Sequence, residues 1–127
     1  EGVMVEDAGF FIDEYPGFPG VYSAHILESL GLEGILRLMH GRKNRGAEFR
    51  ATIVLQIESE KIVAQGRCRG HISEEIRGKG GFGYDPLFIP DDGDGRTFAE
   101  MTLDEKKVLS HRGNAMERLV TLLEDRD

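Results

Sequence analysis

Four short clusters of polar residues hold the groups in this sequence that can do chemistry. They are Glu6-Asp7, Tyr84-Asp85, Lys106-Lys107 and Ser110-His111-Arg112. Carboxylates can hold a divalent cation or take a proton from water, and cationic side chains can bind phosphate. Each cluster lies in a predicted loop or at the end of a predicted element, where binding and catalytic residues concentrate. Any one of them is also typical of a solvated surface, so the functional interpretation rests on their combination.

The stretch GKGGFGYDPLF, residues 78–88, carries one of these clusters in an unusual setting. Its four glycines surround Phe82 and Tyr84, and Asp85-Pro86 follows at once. Glycine lets the backbone come close to a ligand, and aromatic rings stack on flat molecules. The stretch therefore predicts a loop that holds a planar ligand.

A serine nucleophile is one alternative that these residues leave open. Ser110 or Ser23 could combine with a histidine and an aspartate in a hydrolase triad. The sequence has no G-x-S-x-G motif, and the adjacent side chains of Ser110 and His111 are poorly arranged to meet as nucleophile and base. The pattern therefore disfavours a serine hydrolase.

Zinc and calcium sites are two further alternatives. The four histidines show no H-x-x-x-H spacing, and the chain has a single cysteine, so a zinc site is disfavoured. The segment DDGDG, residues 91–95, resembles part of a calcium loop, but the twelfth position counted from Asp92 is Leu103 instead of a glutamate. We therefore predict a plain acidic turn there.

The four polar clusters must be positioned by the strands and helices that the sequence predicts. Hydrophobic patterning predicts strands at residues 3–6, 10–13, 47–59, 61–73 and 87–89, and helices at residues 20–30 and 32–40. The segment EYPGFPG, residues 14–20, is predicted to be a loop because prolines and glycines interrupt both kinds of element. Thr102 and Glu105 form a capping box that predicts a helix from Leu103, and Ser110 is predicted to cap a last helix. This pattern indicates the α/β class (α+β mixed), with a central mixed β-sheet flanked by helices.

Composition narrows the class of protein. The 127 residues suit a single domain, residues 1–127, and no apolar run is long enough to span a membrane. A net charge of −7 argues against sequence-independent binding to nucleic acid. Cys68 is the only cysteine, which fits a reducing compartment, and we predict a cytoplasmic protein with Cys68 as a small residue on a strand. The chain opens at Glu1 in a strand-like stretch, so we expect an N-terminal portion to be absent from it.

Five motifs in a fixed order resemble the inosine triphosphate pyrophosphatase family. They are VEDAGF, GFPGVYSA, GGFGYDPLF, FAEM and DEKKVLSHRGNA, and together they cover nearly the whole chain. The resemblance implies hydrolysis of inosine, deoxyinosine and xanthosine triphosphates to the monophosphate and pyrophosphate, with Mg²⁺ as the cofactor. It also implies the family's pyrophosphatase fold, of which this chain would be the C-terminal two-thirds, and a homodimer.

The resemblance also implies roles for individual residues. Asp7 matches the catalytic position, and Glu6 beside it is expected to support the metal with Asp7. The residues expected to bind the substrate are Ala8, Phe82, Gly83, Tyr84, Asp85, Lys106, His111 and Arg112. Phe82 and Tyr84 would stack on the purine, and Arg112 would donate to the O6 atom that hypoxanthine and xanthine present.

Two departures from the family pattern keep other interpretations open. Many members have Trp where this chain has Tyr84, and members are usually longer at the N-terminus, where a Thr-x-Asn-x-x-Lys segment grips the triphosphate. A second hypothesis is therefore a truncated, weakly active or inactive purine nucleotide-binding or structural remnant. A third is a pyrophosphatase for modified pyrimidine triphosphates, which should lack the Ser110-His111-Arg112 motif.

Overall fold

One antiparallel sheet organises the chain. The computed structural model describes residues 2–125, with the side chains of His111 and Arg112 outside the description. The strands are β1 (Gly2–Ile12), β2 (Tyr15–Gly20), β3 (Gly46–Ile57), β4 (Glu60–Ile72) and β5 (Phe88–Pro90), in the order β2-β1-β3-β4-β5. The predicted α+β class is confirmed. Each pair of neighbouring strands is antiparallel, so the parallel pairs of a mixed sheet do not occur within residues 2–125.

The long β3–β4 hairpin is the centre of the sheet, as the sequence predicts. Its strands pair without interruption from Gly46↔His71 to Ile57↔Glu60. Along most of β4 buried and exposed residues alternate, which is the pattern of a strand with one face on a core. The prediction that Cys68 lies on a strand is confirmed, and the structure shows that it is buried.

Three helices complete the fold: α1 (Ser23–Met39), α2 (Leu103–Leu109) and α3 (His111–Glu124). The predicted break in the first helical region is confirmed as a kink at Gly31, where φ is 70°. The predicted caps are confirmed too, because the Thr102 hydroxyl accepts the Glu105 N–H and the Ser110 hydroxyl accepts the Gly113 N–H. Within residues 2–125, no helix has the length and apolarity needed to cross a bilayer.

Two predictions about the N-terminal region are wrong. Residues 14–20 are not a loop, because most of them form β2, an edge strand in which prolines cost no central ladder bond. The strands predicted at residues 3–6 and 10–13 are one strand, β1, which pairs with β3 along its whole length. Gly9 permits the close approach of the end of β2 to β1, because a Cβ there would lie 2.8 Å from the Gly20 carbonyl oxygen.

Helices α1 and α3 pack on the same face of the sheet. Near α1 the core contains Phe10, Phe49 and Phe88 with Ile35 and Met39 of the helix. Near α3 a second cluster combines residues of the sheet with residues of the helix. Its members are Ala51, Ile53 and Ala64 of the sheet, and Ala115 and Leu119 of α3. Because the register aligns Phe10 with Phe49 and Ala8 with Ala51, both clusters lie on the face of β1 that carries Glu6. The helices leave a hollow between them over this part of β1.

The other face of the sheet carries a network of charged side chains around Glu48. Glu48 is 2% exposed, and its carboxylate accepts hydrogen bonds from Arg50 and Arg69. Arg69 also binds Asp13. Burial raises the pKa of Glu48, but the hydrogen bond and charge of Arg50 outweigh burial and leave the pKa below its ordinary 4.5. The Arg69 hydrogen bond lowers the pKa of Asp13 in the same way.

This network predicts a loss of stability in acid. A lowered carboxyl pKa stabilises the fold above the unfolded-state value, and the contribution disappears as the pH falls from 4.5 through the lowered value. We expect Glu48→Gln to lower the free energy of unfolding by about 2 kcal/mol at pH 7, because it removes charged hydrogen bonds. The deficit should shrink as the wild type is acidified below pH 4.5. Urea unfolding at several pH values checks this, with exposed Glu28→Gln as the control. An equal deficit at pH 7 and in acid would contradict the assignment.

Candidate functional site

A cavity of about 650 Å³ lies over the face of β1 that carries Glu6. Its walls are β1, the start of α1, the glycine-rich loop, α2 and the start of α3. The sequence-predicted site residues that line it are Glu6, Ala8, Phe82, Gly83, Tyr84, Asp85 and Lys106. Pockets for small molecules typically have volumes of roughly 300–1,000 Å³, and the volume of this cavity lies near the middle of that range. The structure therefore brings most of the predicted substrate residues together.

Of the predicted site residues whose side chains the structure describes, Asp7 is the one that does not line the cavity. Asp7 is next to Glu6 on β1, and successive residues of a strand point to opposite faces, so Asp7 faces the other side of the sheet beside Thr52. The side chains of His111 and Arg112 lie outside the described residues. Their backbone begins α3, and its neighbours Ser110 and Gly113 do line the cavity.

Glu6 and Asp7 are adjacent residues in a part of β1 that has an open edge. Strand β2 pairs with β1 only at Phe10, Phe11 and Ile12. The N-terminal part of β1, residues 2–9, is therefore paired on one edge only within the described residues. A ligand that enters the cavity near Glu6 can extend over this open edge toward the face of Asp7.

Asp85 organises the glycine-rich loop from inside. It is 3% exposed, and its Oδ2 accepts the Phe82 N–H at 3.0 Å and the Lys106 ammonium at 2.6 Å. Pro86 lies in a short 3₁₀ turn, Asp85–Leu87. The fixed φ of proline suits the first positions of a helical turn. One carboxylate thus joins the loop to α2.

Lys106 and Phe82 form the mouth of the cavity. The Phe82 ring is 68% exposed, and the Lys106 ammonium lies 4.5 Å from its centroid. The side chain of Lys106 is only 14% exposed, and its ammonium also lies 5.5 Å from the centroid of the Phe98 ring. The ring offers a stacking surface beside a cation, an arrangement suited to a flat, electron-rich ligand.

Tyr84 has a different position from the one expected of a second exposed stacking ring. It is 4% exposed and stacks on Phe10, with ring centroids 4.5 Å apart and an interplanar angle of 18°. Its hydroxyl donates to the Ser23 carbonyl oxygen at 2.5 Å. Burial raises the pKa of Tyr84 to about 12, so the phenol stays neutral at physiological pH. Tyr84 is the inner wall of the cavity, and Phe82 is its rim.

Several residues of the cavity wall are not predicted from the sequence to line a site. Ser23 is predicted only as an alternative nucleophile, and no site role is predicted for Phe10, Leu27 or Leu103. A serine at the start of a helix, directly after the GVY segment, was the available signal for Ser23. The apolar wall residues have no such signal, because their patterning is that of an ordinary core.

Gly81 shows why the loop needs glycine. Its φ is 68°, and a Cβ there would overlap the Asp85 carboxylate. We expect Gly81→Ala to lower the free energy of unfolding by about 3 kcal/mol, through backbone strain and a displaced Asp85–Lys106 pair. Gly41→Ala is the matched control, since Gly41 has φ 75° but open space around it, and its cost should be about 1 kcal/mol. Equal losses in urea unfolding would show that the contact with Asp85 has no role.

The acidic residues could take part in binding a divalent metal. Among the residues that the structure describes, no group of three or more His, Cys, Asp or Glu side chains could form an all-protein metal site. Mg²⁺ typically binds through one or two carboxylates together with substrate phosphates. Glu6 on the cavity wall and Asp7 across the open edge fit that pattern, in which the substrate supplies the remaining ligands.

Comparison with known proteins agrees with this architecture. A profile of the Ham1 family matches residues 1–122. The chain is 51% identical over 116 residues to the dITP/XTP pyrophosphatase of Pyrococcus horikoshii, covering 91% of this chain and 62% of that protein. It is 46% identical over 122 residues to the dITP/XTP pyrophosphatase of Thermococcus kodakarensis, covering 96% of this chain and 65% of that protein.

The fold is also similar to a solved structure. The Staphylococcus aureus Ham1 protein superposes with a TM-score of 0.90 at 29% identity, covering 100% of this chain and 69% of that one. The chain spans a little under two-thirds of the length of the curated relatives it matches. These findings confirm the resemblance that the ordered motifs indicate, and the chain belongs to the Ham1 family.

Proposed function

We propose that this protein hydrolyses non-canonical purine nucleoside triphosphates, namely ITP, dITP and XTP, to the monophosphate and pyrophosphate. The observation that carries the proposal is the cavity, whose lining brings an exposed aromatic ring and a cation together with Glu6 in the middle of β1. The name dITP/XTP pyrophosphatase, borne by the relatives from Pyrococcus horikoshii and Thermococcus kodakarensis, supports the same substrate class.

The base is proposed to bind against Phe82. Stacking of a base on an aromatic side chain contributes about 1–3 kcal/mol. Lys106 is held beside this ring by Asp85, so it can direct its remaining N–H donors at a purine carbonyl. We propose that Gly83 and Ala8 line the base and sugar, and that Tyr84 supports the base from the inner wall.

Choice among purines is proposed to depend on the start of α3. Hypoxanthine and xanthine present an acceptor at O6, where adenine presents an amino donor. A guanidinium has only donors, so Arg112 would bond O6 and reject adenine, with His111 as its neighbour in the recognition set. Support comes from Ser110 and Gly113, which flank these residues at the cavity.

Hydrolysis is proposed to take place at the open edge of β1. Water would attack the α-phosphorus, its bond to the bridging oxygen would break, and pyrophosphate would leave. Asp7 would orient the water and accept its proton, and Glu6 and Asp7 would hold Mg²⁺. Bound Mg²⁺ supplies neutralisation of phosphate charge. Support for this division of labour is that residues 2–9 of β1 have an edge without a partner strand in the described part of the chain.

Three further properties belong to the proposal. We propose that residues 1–127 form one domain, supported by the continuous sheet through which all its strands connect. We also propose a homodimer. A cytoplasmic location is supported by the single, buried cysteine, which suits a reducing compartment.

The test is release of pyrophosphate from ITP in the presence of Mg²⁺, with ATP as the competing substrate and EDTA as the metal-free control. The expected result is metal-dependent release with a preference for ITP of about 10⁴-fold, as sites that bond a distinguishing polar group achieve. Binding of inosine monophosphate without any pyrophosphate release would favour the alternative of a nucleotide-binding remnant. Equal hydrolysis of ITP and ATP would contradict the proposed base recognition.

A further inference from the structure

Ser23 connects three backbone segments beside the cavity. It is the first residue of α1, and it lines the cavity wall. Its Oγ lies 2.8 Å from the Phe10 amide nitrogen and 2.5 Å from the Gly20 carbonyl oxygen. A hydroxyl has one proton to donate and can also accept, so Oγ accepts the Phe10 N–H and donates to the Gly20 carbonyl. One side chain thus ties β1 and the end of β2 to α1.

The backbone of Ser23 makes a second connection, to the glycine-rich loop. Its carbonyl oxygen accepts the Tyr84 hydroxyl at 2.5 Å. The Tyr84 ring stacks on Phe10, the residue whose amide the Ser23 hydroxyl holds. Two hydrogen bonds and one ring stack therefore close a circuit through Ser23, Phe10 and Tyr84.

The circuit joins two elements of the cavity wall at their point of contact. Phe10 is on the same face of β1 as Ala8 and Glu6, which line the cavity. Tyr84 belongs to the glycine-rich loop, between Gly83 and Asp85, which also line the cavity. We therefore expect a break in the circuit to change the separation of the glycine-rich loop from β1.

Close approach of the backbones explains why a small hydroxyl side chain occupies this position. A Cβ on Gly20 would overlap the Gly17 carbonyl oxygen, and a Cβ on Gly9 would lie 2.8 Å from the Gly20 carbonyl oxygen. The segments that Ser23 joins are thus already in contact. An alanine at position 23 would leave the Phe10 amide and the Gly20 carbonyl without these bonds, whereas threonine retains the hydroxyl.

We propose that Ser23 is a positioning residue, which sets the separation of the glycine-rich loop from β1 and so aligns a bound purine nucleotide with Glu6 and Asp7. The inference rests on the proposed function. It concerns alignment of the phosphates rather than retention of the base, because Phe82 and Lys106 do not take part in the circuit. Its signature is a fall in kcat with little change in KM.

The experiment compares Ser23→Ala and Tyr84→Phe with matched controls. Ser29→Ala makes the same change at an exposed position of α1, and Tyr22→Phe removes a hydroxyl from an exposed tyrosine. With ITP, Ser23→Ala should lower kcat of the folded enzyme by about 10- to 100-fold, since small misplacements of reacting groups cost this much. KM should stay within about threefold. Ser23→Thr should restore most of the rate.

The double variant tests the circuit itself. Because both substitutions break one circuit, Ser23→Ala with Tyr84→Phe should lower kcat no more than the stronger single variant. A purely structural role would lower the melting temperature and leave kcat of the folded fraction at the level of the controls. Such a result, or two single effects that multiply, would overturn the proposal.

A readout without ligand separates this inference from the proposed function. Tyr84→Phe should speed hydrogen exchange of the Phe10 amide about 10-fold relative to Tyr22→Phe, because it breaks the circuit at another point. If the wild type releases no pyrophosphate from ITP, the proposed function fails. Unchanged exchange at Phe10 overturns the circuit whatever the catalytic result.

Discussion

Asp7→Asn is expected to lower pyrophosphate release from ITP by about 10²–10⁴-fold, the range that a general base contributes. The substitution keeps the shape of the side chain and removes the group that would accept the proton from water. Asp7 faces away from the cavity that would hold the base, beside Thr52 on the other side of the sheet. Binding of inosine monophosphate should therefore stay within about twofold of the wild type, as measured by calorimetry.

Glu6→Gln is the matched comparison, because it removes one negative charge at the adjacent position. Glu6 lines the cavity, so this variant should raise the Mg²⁺ concentration needed for half-maximal rate and disturb nucleotide binding as well. Glu28→Gln, on the exposed surface of α1, controls for the lost charge. The assignment of roles is wrong if Asp7→Asn turns over ITP at the wild-type rate while Glu6→Gln does not.

Asp85→Ala should have the largest effect on stability, about 3–5 kcal/mol. Removal of one member of a buried ion pair leaves the other charge without compensation. Here the remaining charge is the Lys106 ammonium, whose side chain is 14% exposed. The Phe82 N–H loses its acceptor as well, so the glycine-rich loop loses its internal anchor.

Urea unfolding measures the loss of stability of Asp85→Ala, and the affinity for inosine monophosphate measures the damage to the binding site. Asp92→Ala is the control, since Asp92 lies in an exposed turn of the same part of the chain. We expect it to change the free energy of unfolding by less than about 0.5 kcal/mol. A loss below about 1 kcal/mol for Asp85→Ala would mean that Lys106 finds a different partner.

The sequence predicts the elements whose signals are local. The capping box from Thr102 to Glu105 and the cap at Ser110 act through hydrogen bonds within a few residues. The alternation along β4 is a pattern within the strand itself. Strand β2 has no such signal, because its prolines and glycines are tolerated only through its position at the edge of the sheet. The local sequence pattern does not show that a segment will lie at the edge of a sheet.

The same distinction between local and tertiary signals applies to the candidate site. Motif order identifies the family and most of the residues that meet at the cavity. It does not distinguish a rim ring from a wall ring, and Tyr84 is buried against Phe10 while Phe82 is exposed. The opposite directions of Glu6 and Asp7 follow from the unbroken pairing of β1 with β3, whereas the sequence pattern predicts two separate strands at residues 3–6 and 10–13.

The decisive measurement is a crystal structure with inosine monophosphate bound. We expect the hypoxanthine ring against Phe82 and beside Lys106, with the phosphate directed toward the open edge of β1. Asp85→Ala should no longer bind the nucleotide, either in crystals of the variant or, if it does not crystallise, in a binding measurement in solution. A nucleotide bound elsewhere would contradict the account, for example in the polar hollow formed by Arg45, Ser73 and Arg77.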